Sequence, residues 1–275
     1  MPHTIFSNTC SSRVRAPHRG VSFYLRILLT LIFPVLMGAS LSVQADCTAR
    51  HIDRPATVAR VYDGDTFELT DGTRIRFIGI NTPEMARDER PAEPYANQAY
   101  QAVVTLLRQH DEQVLLQYGT ELHDHYGRTL AHVFLPDGTN LSEWLLLQGL
   151  ATRIAIPPNL WGQDCYAQAE ASARRKGMAL WPDVITPSRS VRVGSRGYYV
   201  IEGKVERIGH SRKSIWLNLP GAVAIRIARK DLDNFSNIAV DSLQNHTVRA
   251  RGWIFPGKNQ STLRIRHSAM LEIVK

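Results

Sequence analysis

The chain has 275 residues, 44% of them hydrophobic, and a formal net charge of +8, which excludes a disordered polycation and supplies enough apolar material for one large or two small domains. Three cysteines are too few for a disulfide-built miniprotein. The charge is unevenly spread: residues 46–187 hold 13 basic and 19 acidic side chains and residues 188–275 hold 16 and 6, so an acidic module precedes a basic one suited to polyanions.

Residues 1–45 read as a signal peptide. Arg13, Arg15, Arg19 and Arg26 precede the apolar run Ile27 to Leu41, and Ser42-Val43-Gln44-Ala45 has the spacing of a cleavage site. The run holds Pro34 and Gly38 and is shorter than the roughly 20 apolar residues of a comfortable span. The expectation is an exported protein, periplasmic or extracellular, with no stable membrane insertion once the signal is removed; a retained anchor is the alternative. Export leaves Cys47 and Cys165 as an even pair in an oxidising compartment. They read either as a disulfide tying the new N-terminus to a late helix or as two buried thiols.

In the expected first domain, residues 46–185, the runs Thr57 to Tyr62, Thr66 to Thr70 and Thr73 to Ile80 are separated by the turn signals Asp63-Gly64-Asp65 and Asp71-Gly72, which predicts a three-stranded meander. Ala99, Val103, Leu106 and Leu107 recur at helical spacing after Pro94 and predict a helix over Tyr95 to Arg108. Val114 to Tyr118 and Thr129 to Leu135 read as strands. Asn140 to Gln148, with Gly149 behind it, and Cys165 to Lys176, closed by Gly177, read as helices. The fold class is therefore a β-barrel plus about three helices, OB-fold in type.

A linker is expected over 186–197, where Ser, Arg, Gly and Pro predominate. Residues 198–275 then give strand-like runs at Tyr198 to Arg207, Ser214 to Leu219, Val223 to Ala228, Thr247 to Phe255 and Thr262 to Arg266, with a helical turn near Lys230 to Asn234. They predict a second small β-barrel, OB-like and basic. In Val248 to Phe255, alternation puts Arg249, Arg251, Trp253 and Phe255 on one face and Val248, Ala250 and Ile254 on the other. Cations and flat rings sharing a surface suit a nucleic-acid backbone with stacked bases, so these four are candidate substrate-binding residues. A bulge at Gly252 that turns Trp253 into the core is the competing reading.

Three segments carry the candidate chemistry: Asp63-Gly64-Asp65-Thr66; Arg76 with Asn81-Thr82-Pro83-Glu84; and Asp124-His125-Tyr126-Gly127-Arg128. Each alone has an ordinary reading as a hairpin turn, a helix start or a loop. Phosphodiester cleavage needs an oriented water and groups that neutralise charge on the phosphoryl oxygens, which carboxylates, a hard cation and two guanidiniums supply. The guanidinium fork matches two phosphate oxygens.

In order and spacing these segments resemble the staphylococcal nuclease (thermonuclease) family, from about Thr57 to Trp181, including the strand Arg74 to Ile80 and the closing Gly177 to Trp181. The resemblance implies a calcium-dependent nuclease acting on DNA or RNA and leaving 5′-hydroxyl and 3′-phosphate ends. It implies Asp65 as a direct Ca2+ ligand, Thr82 as a ligand through its carbonyl and Asp63 as an outer-shell carboxylate. Glu84 looks like the residue that orients or deprotonates water. Arg76 and Arg128 look like the pair that holds the phosphate, and Tyr126 resembles a tyrosine that contacts a nucleotide phosphate. Two departures stand out. Asn81 occupies a position where the family has Asp, so its amide oxygen replaces a charged ligand and cation affinity should fall. The tyrosines expected after Gly149-Leu150-Ala151 give way to Ile154 to Pro158. These departures motivate an alternative, a noncatalytic nucleic-acid or polyanion binding protein on a degenerate nuclease scaffold.

Overall fold

The computed structural model describes residues 47–274; the signal segment and its cleavage site lie outside the described residues. Among the described residues, no helix is long and apolar enough to cross a membrane.

Strand β1 (Arg54–Val61), β2 (Thr66–Leu69) and β3 (Arg74–Phe77) form the meander, and β4 (Ile80–Asn81) splits off after Gly79. Helix α1 (Ala96–Arg108) buries Ala99, Val103 and Leu107, the stripe read from the sequence. Strands β5 (Gln113–His123) and β6 (Thr129–Phe134) follow, and β1-β2-β3-β6-β5 closes as a barrel. Phe67 and Phe77 meet edge to face inside it, ring centres 5.2 Å apart, packed with Leu69, Ile75, Leu116 and Val133.

Helix α2 (Leu141–Leu147) begins at Asn140, whose side-chain oxygen accepts the Glu143 N–H. Strand β7 (Thr152–Arg153) pairs with β4, and α3 (Gln163–Arg175) lies against α2. A disulfide joins Cys47 to Cys165, fixing the first described residue to the start of α3.

The expected linker is partly structural. Residues Ile185–Pro187 form β8, which runs parallel to β9 (Gly197–Lys204), and Ser188 and Val191 are buried. Strands β10 (Arg207–His210), β11 (Ser214–Asn218), β12 (Val223–Ala228), β13 (Thr247–Phe255), β14 (Ser261–Ile265) and β15 (Leu271–Val274) complete an eight-stranded sheet. Its order is β10-β11-β12-β14-β13-β9-β8, with β15 also on β13. Among the described residues this path is open at β10 and β8, so the pairing does not give the second closed barrel expected from the strand count. A 3-10 helix, Arg229–Phe235, follows β12.

The two modules share a seam. Ile154 and Ala155, just after β7, are buried in the apolar cluster of the C-terminal sheet with Ile201, Ala250 and Met270. The segment that lacks the family tyrosines thus carries aliphatic side chains because it packs under the second module.

Candidate active site

The Asp-Gly-Asp turn lies flat against α1 and the Thr82 loop. A Cβ at Gly64 would stand 2.7 Å from the Ala99 Cβ and 2.8 Å from the Thr82 Cγ2, so glycine is what permits the approach. Asp63 closes the turn by accepting the Asp65 N–H at 2.9 Å. Asp65 is 4% exposed: Oδ2 accepts from the Thr82 N–H at 2.8 Å and faces Arg76 Nη2 at 3.0 Å, while Oδ1 accepts from Thr66 Oγ1 at 3.1 Å.

Arg76, in β3, donates through Nη1 to the Phe77 carbonyl at 2.7 Å and through Nη2 to Asn81 Oδ1 at 3.3 Å. With the Asp65 contact, these bonds leave Nε–H and one Nη1–H of its five donors for a phosphate. Arg128 leaves the turn of Asp124 to Gly127, gripped by Asp124 Oδ2 at 2.8 Å from Nε and 2.7 Å from Nη2, and its Nη1 reaches Thr66 Oγ1 at 3.4 Å. Arg128, Thr66, Asp65 and Arg76 therefore form one chain of contacts across residues 52 positions apart and more. The structure thus brings Asp65, Arg76 and Arg128 together through Thr66.

The electrostatics follow from burial and like charge. Burial and the neighbouring Asp65 push the Asp63 carboxyl up to about 7. Glu84 reaches solvent, yet partial desolvation and then Asp65 raise it, with Arg76 and Arg128 pulling the other way, so it lies within the field of both guanidiniums. Burial works to raise Asp124, but its hydrogen bonds to Arg128 prevail and hold it below the usual carboxylate range. Tyr126 is 73% exposed beside Arg128, whose guanidinium carbon is 5.4 Å from the ring centre.

The donors here are hard oxygens, suited to a hard cation. Thr82 Oγ1 is buried with no hydrogen-bond partner among the described residues. Among the described residues no three His, Cys, Asp or Glu side chains converge as a metal cage; the residues fit a site of two carboxylates and neutral oxygens. Asn81 Nδ2 donates to the Thr82 carbonyl at 3.1 Å, competing for a proposed ligand atom.

Thr66 and Asp124 lie in the candidate segments, but the sequence assigns neither a role. Thr66 links the two arginine environments and Asp124 orients Arg128. The available signals were a threonine beginning the strand directly after Asp65 and an aspartate opening a turn four residues before Arg128. The floor of the site reaches the C-terminal sheet: Thr152 Oγ1, 3.4 Å from the Asn81 carbonyl, is 2.8 Å from the Tyr198 hydroxyl.

Three of the four candidate substrate contacts in β13 require correction. Arg251 is 1% exposed; its Nη1 meets Glu170 of α3 at 2.5 and 2.6 Å and its Nη2 bonds Glu272. Arg249 is paired with Glu202 at 2.5 Å and Glu272 at 3.4 Å. Trp253 is half-buried and packs edge-on against Tyr198 at 5.3 Å. Only Phe255, 56% exposed, is open. The alternation is real, but carboxylates of α3, β9 and β15 cover most of that face.

The sequence is similar to known proteins. The family described as staphylococcal nuclease homologue matches residues 74–183. A thermonuclease of Staphylococcus intermedius is 32% identical over 167 residues, covering 59% of this chain and 95% of the relative. One of Staphylococcus hyicus is 35% identical over 128 residues, covering 45% and 73%. An uncharacterized endonuclease of Escherichia coli is 30% identical over 137 residues, covering 46% and 76%.

Proposed function

Since the chain belongs to the staphylococcal nuclease family, we propose that it is an exported nuclease that hydrolyses phosphodiester bonds of DNA or RNA at this cleft. The observation that carries the reading is the contact chain Arg128–Thr66–Asp65–Arg76 with Glu84 in the field of both arginines. A bound phosphate takes the free N–H groups of Arg76 and Arg128, which stabilise the charge that grows on the phosphoryl oxygens. Glu84, its basicity raised, orients water and accepts its proton. Water oxygen bonds to phosphorus as the bond to the 5′ oxygen breaks; that oxygen takes a proton from solvent water, and Glu84 returns its own to solvent, giving 5′-hydroxyl and 3′-phosphate ends. Tyr126, exposed beside Arg128, is placed to meet an adjoining phosphate.

A divalent cation, calcium in this reading, is held by Asp65 and the Thr82 carbonyl with Asn81 and Asp63 in support, and when bound it supplies further neutralisation of the phosphate. Asn81 weakens that site by removing a charge, and Asn81→Asp should raise cation affinity.

The test is cleavage of labelled single-stranded DNA with calcium and with chelator, comparing the protein with Arg76→Ala and Glu84→Ala. Each substitution should lower the rate by about 10²-fold or more. Rates untouched by both would overturn the assignment. The noncatalytic alternative is favoured by the Asn81 amide on the Thr82 carbonyl, and it predicts shifted, uncut DNA under every metal condition.

A further inference from the structure

The face of the C-terminal sheet opposite its apolar core divides in two. Toward β9 and β13 it is closed by the carboxylate pairs of Arg249 and Arg251. Toward β11, β12 and β14 it is open. Core and outer positions alternate strictly there: Ile215 and Leu217, Ile225 and Ile227, and Leu263 and Ile265 are buried within the sheet's apolar cluster, so Trp216, Arg226 and Arg264 point the other way.

Register aligns them. Trp216 is opposite Arg226, and Arg226 is opposite Arg264, a row of one ring and two guanidiniums over three adjacent strands, about 10 Å wide at the usual strand spacing. The Arg226 guanidinium carbon is 5.6 Å from the Trp216 ring centre, and its Nε is fixed by the buried Ser214 hydroxyl at 2.8 Å. Arg266 stands two residues beyond Arg264, Phe255 lies opposite Thr262 next along β14, and Arg207 lies opposite Asn218. Ala224 and Ala228 flank Arg226 on the same face and are themselves buried, so the accessible groups are the ring and the guanidiniums.

The charge of this face is poorly compensated. Residues 188–275 hold 16 basic and 6 acidic side chains, and Glu202 and Glu272 are used by Arg249 and Arg251. Among the described residues, the carboxylate within ion-pair range of the open set is Asp231, 3.9 Å from Arg264 and 3.8 Å from Arg266. Arg266 Nε is buried without a hydrogen-bond partner.

We infer that this open face, centred on Trp216, Arg226 and Arg264 with Arg266 and Phe255, binds a single strand of nucleic acid, bases on the rings and phosphates on the guanidiniums. The inference rests on the nucleic-acid reading of the cleft and moves substrate holding from the buried residues of β13 to β11, β12 and β14. The acidic first module has little general attraction for a polyanion, so this surface supplies it.

The test uses the full protein, chelator present, and a fluorescein-labelled oligothymidylate of about 12 nucleotides, a length within the range such surfaces bind. Anisotropy gives Kd across a salt series. Trp216→Ala with Arg226→Gln should raise Kd about 10-fold or more and reduce the salt slope by about 0.7 for the lost arginine. Arg264→Glu, at an exposed position, should do likewise, which guards against a folding defect in the first variant; thermal melts check both. In a separate assay with calcium in place of chelator, a phosphodiester of one nucleotide, too short to reach from cleft to sheet, should be cut by both variants at the parent rate. If that diester is never cut while oligonucleotide affinity still falls, the catalytic reading fails and this one stands. Kd and salt slope equal to the parent's in both variants would overturn it, as would variants impaired only in binding phosphatidylserine vesicles.

Discussion

Replacing Glu170 by Gln tests the seam between the modules most directly. Glu170 is 2% exposed and Arg251 is 1% exposed, and the Glu170 carboxylate also accepts the Arg153 N–H at 2.7 Å. Burial disfavours the Arg251 charge; Glu170, with Tyr198 and Glu272, together outweighs it and leaves the guanidinium more firmly protonated than usual. At an effective dielectric constant of ~20 and ~4 Å between charge centres, the attraction is about 4 kcal/mol. Gln still accepts the Arg153 N–H but removes the charge, and Glu272 continues to hold Arg251 Nη2. The expected loss is therefore about 3 kcal/mol, the low end for a buried pair deprived of one partner. Glu170→Gln combined with Arg251→Met should regain most of it, because the uncompensated charge is gone. Urea unfolding at neutral pH provides the measurement. Trp161 and Trp181 report the first module and Trp216 and Trp253 the second, so a loosened seam also appears as two transitions. A single variant within about 1 kcal/mol of the parent, or a double variant as weak as the single, would refute the reasoning.

Other perturbations address separate parts. Burial depresses His132 from 6.5 to about 3, so between those values the unfolded chain binds the extra proton. Stability is complete above pH ~6.5 and falls as pH drops, by up to about 1.4 kcal/mol per unit from this group; a His132→Gln variant that keeps the same slope would rule it out. The Cys47–Cys165 bridge spans a sequence separation of 118, and replacing both by Ser should cost about 2–4 kcal/mol, read from the urea midpoint, with a negligible shift as the contrary result. Gly79 has φ +88°, and a Cβ there would lie 2.4 Å from the Tyr166 ring, so Gly79→Ala should lower stability by at least about 2 kcal/mol; thermal unfolding at the parent temperature would contradict this.

The periodic elements were legible in the sequence. The stripe Ala99, Val103, Leu107 specified α1, and Val223 to Ala228 and Thr247 to Phe255 coincide with β12 and β13. The two-residue strands β4 and β7 were not, since no periodicity develops over so few positions, and β15 lay beyond the last turn signal recognised. The cleft was legible because its residue types are unusual in combination and their spacing resembles a family. Arg249 and Arg251 show what alternation lacks: it says which side chains share a face, never what lies over that face. The partner of Arg251 is 81 residues away in α3, a relation no local pattern contains.

Ile154 and Ala155 sit in the core of the sheet that follows them, although the family match covers only residues 74–183. A shortened chain ending near Pro187 would therefore bare a greasy scar on its underside, orphan Glu170, and strip Tyr198 away from Thr152 directly behind Asn81. Truncation there should therefore yield insoluble material.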